Sequence, residues 1–374
     1  MPLGRRQRVA TVGAAAVATA LSLAACSSSS SSSTPPASSG SGAATSASSS
    51  SSSGAAVSGT LNASGSTFQL TFQQTAIAAY KATQPALTVN YGGGGSGKGV
   101  TDLASGTVQY AGSDSPISTA QEPLFSGKTV LYFPVVIGPI TLSYNLSGLS
   151  KPLQLSAPVV AQIFEGKITT WNNSAIAADN PGVTLPSTPI ALAVRSDSSG
   201  TTNNFSKFLA AGAGSAWTLS TGSIIKWPAT AHAGSGNGGV AQIVKSTPGA
   251  IGYVDYATAK GAGLTFASVK NSAGDYVAPS PTSASAAASQ VTVKPNLTFS
   301  AIWAPGAASY PITYQSWDLV YQTQSSATTA NALKAWIGYL IGSGGQGLLP
   351  GLGYAMVPAN IDTMAQAQLS KIGT

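Results

Sequence analysis

The sequence predicts an α/β fold in two lobes, and three observations carry that prediction. Short apolar or β-branched runs recur along the chain, and several are followed by a small polar turn and then by a stretch with helical spacing. Elements alternating in this rhythm build lobes with mostly parallel sheets, whose ligands sit in loops beyond the carboxyl ends of the strands. The foldable part, about 315 residues, exceeds what one hydrophobic core usually organises, which implies two lobes.

The chain begins with Arg5, Arg6 and Arg8 ahead of an apolar stretch at residues 9–23, whose length suits a secretory signal better than a membrane span. It ends in Leu23-Ala24-Ala25-Cys26, which resembles the bacterial lipobox. Residues 1–25 therefore read as a lipoprotein signal peptide and Cys26 as the lipid attachment that anchors the protein to the outer face of the cell membrane. An incidental cysteine beside a cleavage site is the alternative. Cys26 is the only cysteine, so no internal disulfide and no Cys-rich metal site are expected. Residues 26–59 are almost entirely Ser, Ala, Gly, Thr and Pro and cannot bury enough surface to fold; they read as a tether spanning on the order of 30 Å, or as an O-glycosylated stalk. Removing the three arginines with the signal lowers the formal charge from +7 to +4. No Lys/Arg cluster remains, which excludes a nucleic-acid partner but suits an anionic ligand.

In the folded part, residues 86–91 read as a buried strand, followed by glycines and a helical pattern from residue 100. The run "VLYFPVVIGPITL" at 130–142 is broken by Pro134, Gly138 and Pro139. It reads as strand segments and a crossing between lobes. Residues 190–194 form another short strand, then a polar turn at 195–200 and a helix over 202–210. Further strands are expected at 250–256 and 311–321, and an amphipathic helix at 327–341.

The run "VNYGGGGSGKG" comes within one residue of a nucleotide-binding P-loop, but Gly99 stands where a Mg²⁺-holding hydroxyl belongs, and ATP is scarce beyond a secretory signal. Its Gly95 to Gly97 is one of four turns of one design, the others being Ser64 to Phe68, Ser113 to Ser115 and Arg195 to Thr201. Small residues let backbone N–H groups approach an oxyanion, hydroxyls add donors, and a helix start adds unpaired N–H groups. Taken singly, such turns also read as helix caps. Arg195 carries more weight, because Asp197 can hold its guanidinium while Ser199 to Thr201 supply donors. A structural Arg-Asp pair is the plain alternative.

From about residue 61 to 358 the chain resembles the phosphate-binding protein of the bacterial ABC-type phosphate importer. The resemblance rests on "GSTF" (65–68), "GSGKGV" (95–100), "GSDSPIS" (112–118), "FPVVIGP" (133–139), "IFEGKITTWNN" (163–173), "RSDSSGTT" (195–202), "VKSTPGAIGYVDYA" (244–257) and "YPIT" (310–313), in that order. It implies a two-lobed periplasmic binding protein of type II, hinged by two crossings, with lobe 1 at 60–140 plus 312–374 and lobe 2 at 141–311. It implies inorganic phosphate in the interlobe cleft, delivery to an ABC permease, a monomer, and neither cofactor nor metal nor enzymatic activity. The implied phosphate ligands are Thr67, the backbone N–H of Phe68, Ser96, Asp114, Arg195, Ser199, Gly200 and Thr201, with Asp197 steadying Arg195. Lys98 departs from the family pattern and reads as a solvated surface lysine. Residues 282–298 match nothing in the family. Asp114 would accept a proton that phosphate keeps at neutral pH and sulfate lacks. The rivals are a phosphate or other oxyanion sensor, and a phosphate-ester hydrolase using the single histidine, His232, with Ser235 or Ser96. Against the hydrolase, no G-x-S-x-G elbow occurs and Ser235 is not expected at a strand-to-helix turn.

Overall fold

The computed structural model describes residues 57–374. The signal peptide, Cys26 and nearly all of the expected tether lie outside the described residues. The first elements are β1 (Gly59–Gly65), α1 (Leu70–Thr83), β2 (Leu87–Gly94), α2 (Ser96–Ala104), β3 (Tyr110–Ser113) and β4 (Val130–Tyr144). Then come β5 (Gln154–Leu155), α3 (Ala157–Phe164), α4 (Ser174–Asp179), β6 (Ala191–Arg195), α5 (Gly200–Gly212), β7 (His232–Gly234) and α6 (Gly236–Ser246). The chain continues through β8 (Ala250–Asp255), α7 (Tyr256–Gly261), β9 (Thr265–Phe266), β10 (Ser268–Lys270), β11 (Tyr276–Val277), α8 (Pro281–Ala288), β12 (Thr313–Tyr321) and α9 (Ala327–Ile341).

Nine strands form one continuous sheet in the order β2-β1-β3-β12-β4-β8-β6-β7, with β9 also on β4. Its two wings are parallel: β1 pairs with β2 and β3, and β6 with β7 and β8. Its middle is antiparallel, through β12 and β4. The parallel character expected from the strand-turn-helix rhythm therefore holds where that rhythm occurs, and fails where the chain crosses.

The run at 130–142 is a single strand, not the broken segments its prolines and glycine led us to expect. Val130 to Pro139 pair with β12, whereas Ile140 to Tyr144 pair with β8, so one strand serves both lobes. Proline cannot donate to a ladder, and the structure accommodates Pro134 where the register shifts between Ser316 and Trp317 of β12. At the crossing, the Ile140 N–H donates to the Ile312 carbonyl at 2.8 Å, which ties the two crossing segments together.

The core is closed on one side by α1 and α9, with Phe72, Tyr80, Leu333 and Trp336 buried, and on the other by α3 and α5, with Phe164, Phe205 and Phe208 buried. Each such side chain contributes about 1.5–3 kcal/mol by leaving water. Sequence reading gave no element over residues 70–83, because the buried face of α1 includes the polar Gln73 beside Phe72 and blurs the apolar period. Residues 282–298 include most of α8, opened by a Ser280/Ser283 capping box and burying Ala284 and Ala288 against Ile137 and Trp317. No helix among the described residues is long and apolar enough to cross a membrane.

Candidate functional site

The four polar turns converge from both lobes. The Gly97 N–H donates to the Ser198 carbonyl at 3.0 Å, and Asn204 Nδ2 donates to the Asp114 carbonyl at 2.7 Å. A Cβ on Gly95 would stand 2.2 Å from Asp197 Oδ2, and one on Gly200 would stand 2.4 Å from Ser96 Oγ and 2.6 Å from Asp114 Cβ. Glycine at these two positions is what allows turns of opposite lobes to touch, so the structure is that of a closed cleft.

On the β1–β3 side the centre is Asp114, which is 1 % exposed. Ser66 Oγ accepts the N–H groups of Phe68 (3.1 Å) and Gln69 (3.3 Å), so its own proton goes to Asp114 Oδ1. Ser316 Oγ accepts from Gln69 Nε2 at 2.7 Å and donates to the same Oδ1 at 2.6 Å. Oδ1 thus has both acceptor positions filled by donors that have no other direction to point. Oδ2 meets only Ser96 Oγ, at 3.4 Å, and is the oxygen left to accept a proton from a ligand. Burial pushes the carboxyl up to about 6, against the Ser316 and Ser66 hydroxyls and the Arg195 charge, so Asp114 is still mostly a carboxylate at pH 7.

On the β6–β8 side the centre is Arg195, 6 % exposed. Its Nε donates to Asp197 Oδ1 at 2.8 Å, an Nη donates to Asp197 Oδ2, and the other Nη donates to Thr201 Oγ1 at 3.3 Å. These three bonds use three of the five guanidinium donors and leave two for a ligand. The backbone N–H of Arg195 is held by the Tyr253 hydroxyl at 3.0 Å, and burial pushes that hydroxyl up to about 12. Burial also pushes the Asp197 carboxyl upward, but the Arg195 hydrogen bond and charge, with the Gly236 N–H at 3.0 Å, hold it below its ordinary range. Gly200 and Thr201 open α5, where first-turn N–H groups lack intrahelical acceptors, and Ser199 Oγ caps the helix by accepting the Thr202 N–H at 3.1 Å.

The hydroxyls follow one rule. Ser96 Oγ accepts the Asp114 N–H at 3.1 Å, Ser199 Oγ accepts from Thr202, and Thr201 Oγ1 accepts from Arg195. Each oxygen is occupied by a protein donor; the Ser199 and Thr201 O–H groups are thereby free to donate into the cleft, whereas the Ser96 O–H points at Asp114 Oδ2 across a long 3.4 Å bond. The site can therefore surround an oxyanion with neutral donors and one cation, facing a single acceptor.

Every ligand residue expected from the sequence lies in this cluster, with one qualification of role: the Phe68 N–H is engaged by Ser66 Oγ. The Phe68 ring is fixed by stacking on Tyr314, with centroids 4.1 Å apart, and its carbonyl by the Tyr354 hydroxyl at 2.8 Å. Lys98 is half-exposed and pairs with Asp102 four residues on. Ser235 does stand between a strand, β7, and a helix, α6, which corrects the sequence-based expectation. His232, however, is exposed on β7. Among the described residues no group of three or more His, Cys, Asp and Glu is placed to hold a metal. Sequence reasoning missed Ser316, Asn204, Asn237 and Tyr253 and gave Ser66 no role. Only Ser66 and Asn237 carried a local signal, as polar residues inside small-residue turns between a strand and a helix.

Two α/β lobes that share a strand and close polar turns over a buried arginine and a buried carboxylate define a two-lobed solute-binding protein. The sequence model described as the PBP superfamily domain matches residues 50–343. The phosphate-binding protein PstS 3 of Mycobacterium leprae is 35% identical over 311 residues, covering 80% of this chain and 83% of that protein. PstS 2 of Mycobacterium tuberculosis is 36% identical over 300 residues, covering 77% of this chain and 80% of that protein. Among solved structures, the high-affinity periplasmic phosphate-binding protein PfluDING, bound with phosphate, shares the fold with a TM-score of 0.69 at 23% identity, covering 83% of this chain and 94% of that one. This chain belongs to the PstS phosphate-binding family of the PBP superfamily.

Proposed function

We propose that the protein binds inorganic phosphate in the closed cleft and hands it to an ABC-type permease, as a secreted receptor lipid-anchored through Cys26. The observation that carries this reading is the saturation of Asp114 Oδ1, which leaves Oδ2 as the one acceptor in a shell of donors. Phosphate near neutral pH keeps at least one proton to give that oxygen. Sulfate has none and would face an unpaired carboxylate in a dry site, at a cost of about 1–3 kcal/mol or more. Arg195 supplies the compensating charge through its two remaining donors. Thr67, Ser96, Ser199 and Thr201 supply hydroxyls, and the helix start at Gly200 supplies backbone N–H groups, with the Phe68 N–H contributing only as a donor shared with Ser66 Oγ. Lobe 1 would comprise residues 60–140 plus 312–374 and lobe 2 residues 141–311. Release would follow a hinge motion where β4 and the segment before β12 cross together. The lobes act as a monomer, and no step of capture calls for a cofactor or for catalysis.

The test is a calorimetric titration of the leader-free protein with phosphate, sulfate and arsenate at about pH 8 and about pH 5. Phosphate is expected to bind at both. Sulfate is expected to compete only at the lower pH, where Asp114 takes up a proton below about 6 and becomes a donor. Absence of phosphate binding, or sulfate binding equally well at the higher pH, overturns the reading. For the anchor, Cys26→Ala should abolish membrane retention and labelling by a radioactive fatty acid; retained label would assign the lipid elsewhere.

A further inference from the structure

We propose that Asn237 is an interlobe latch, a positioning residue that aims Thr67 and Thr201 at the bound anion and sets how slowly it leaves; this rests on the phosphate reading above. Asn237 is the second residue of α6 and is fully buried. Its Oδ1 accepts the Asp255 N–H at 3.3 Å, which settles the orientation of the amide and turns Nδ2 the other way. Nδ2 then donates to Thr67 Oγ1 at 3.1 Å and to Thr201 Oγ1 at 3.3 Å, and the Asn237 backbone N–H donates to Thr67 Oγ1 at 3.2 Å.

Two consequences follow from the direction of these bonds. Thr67 Oγ1 receives two donors and Thr201 Oγ1 receives Asn237 and Arg195, so both hydroxyl protons are left to point at a ligand. Thr67 follows β1 in one lobe, whereas Thr201, Asp255 and Asn237 belong to the other. Opening the cleft breaks the Thr67 bonds and leaves the amide held by its own lobe. Contacts made only in the closed state slow escape and leave entry almost untouched. The fit is close: Gly236, at φ +67°, lies so near that a Cβ there would stand 3.1 Å from Thr67 Cγ2.

The experiment is stopped-flow phosphate association and release with wild type, Asn237→Ala and Asn237→Asp, beside thermal unfolding without phosphate. Asn237→Ala should speed release about 10-fold with association within about threefold and the preference over sulfate intact, because the Asp114 set is untouched. Asn237→Asp has the same shape but accepts where the amide donates, turning both threonine protons inward beside an added charge; release should be about 100-fold faster. Release within twofold of wild type in both variants, or a loss carried by association, overturns the latch. So does loss of cooperative unfolding in both variants, which would make Asn237 a core residue. Wild type failing to bind phosphate would instead overturn the cleft assignment itself.

Discussion

The two walls of the cleft carry opposite charges and are built by the same device. Asp114 has one oxygen saturated by Ser66 and Ser316 and one left open; Arg195 has three donors taken by Asp197 and Thr201 and two left open. In each case neutral or oppositely charged neighbours decide which valences remain. The walls differ in what they contribute. On the proposed reading the arginine wall would supply attraction, which any oxyanion would feel, whereas the aspartate wall would supply a condition that only a protonated oxyanion meets. Affinity and selectivity would then be assigned to different walls of the cleft.

Removing the attraction is the largest perturbation. Arg195→Ala should weaken phosphate binding by roughly 10- to 1000-fold, about 1.4–4 kcal/mol, partly because Asp197 is left facing the site. Native affinity in a calorimetric titration would make Arg195 a structural residue. Converting the condition into a second donor makes the walls alike. Asp114→Asn should keep a good part of phosphate affinity and bring sulfate within about 10-fold of it, against exclusion in wild type; unchanged selectivity in a competition titration would remove Asp114 from that role.

The smallest effect lies behind the aspartate wall. Gln69, which orients Ser316, accepts from Gln73 Nε2, and Gln73 in turn donates to both oxygens of the fully buried Asp318 at 3.2 and 3.0 Å. Burial pushes the Asp318 carboxyl up to about 8, with the Gln73 hydrogen bonds opposing. A carboxyl raised in the folded state favours folding at pH values below its unfolded pKa, near 4, and that contribution is lost as pH climbs through about 8. Asp114 and Asp255, each raised to about 6 by burial, act in the same direction but finish earlier. The melting temperature of the ligand-free protein should therefore still fall between about pH 7 and 9, and Asp318→Asn should flatten that fall by on the order of a few degrees. An unchanged slope would mean that Asp318 is already ionised at neutral pH.

Much of this site is legible in the sequence, because strand, small polar turn and helix start are chemistry written within a dozen residues. Arg195, Asp197, Ser199 and Thr201 fall in one such turn, and Ser96 and Asp114 at the ends of two others. What the sequence hides is partnership at long range. Ser316 reaches Asp114 across 202 positions and Asn237 reaches Thr67 across 170, and neither carries a local mark of its partner. Ser316 is simply one polar residue in a strand. The fold shows the same division: the helix over Ala327–Ile341 appears where its spacing puts it, whereas α1 escapes because Gln73 on its buried face and Gln69 at its N-cap serve the Asp318 and Ser316 network. The prolines of β4 mislead in the other direction, since a bulge in β4 itself, with Val135 left unpaired between Pro134 and Val136, absorbs one of them.

That strand has a mechanical consequence. Because residues 130–144 are bonded to β12 over the first two-thirds of their length and to β8 over the rest, opening the cleft flexes a ladder instead of swinging on slack linkers. On the proposed reading this strand acts as a spring, since parting the lobes would strain the backbone that joins them, and the two halves are expected to melt in a single cooperative step in a calorimetric scan.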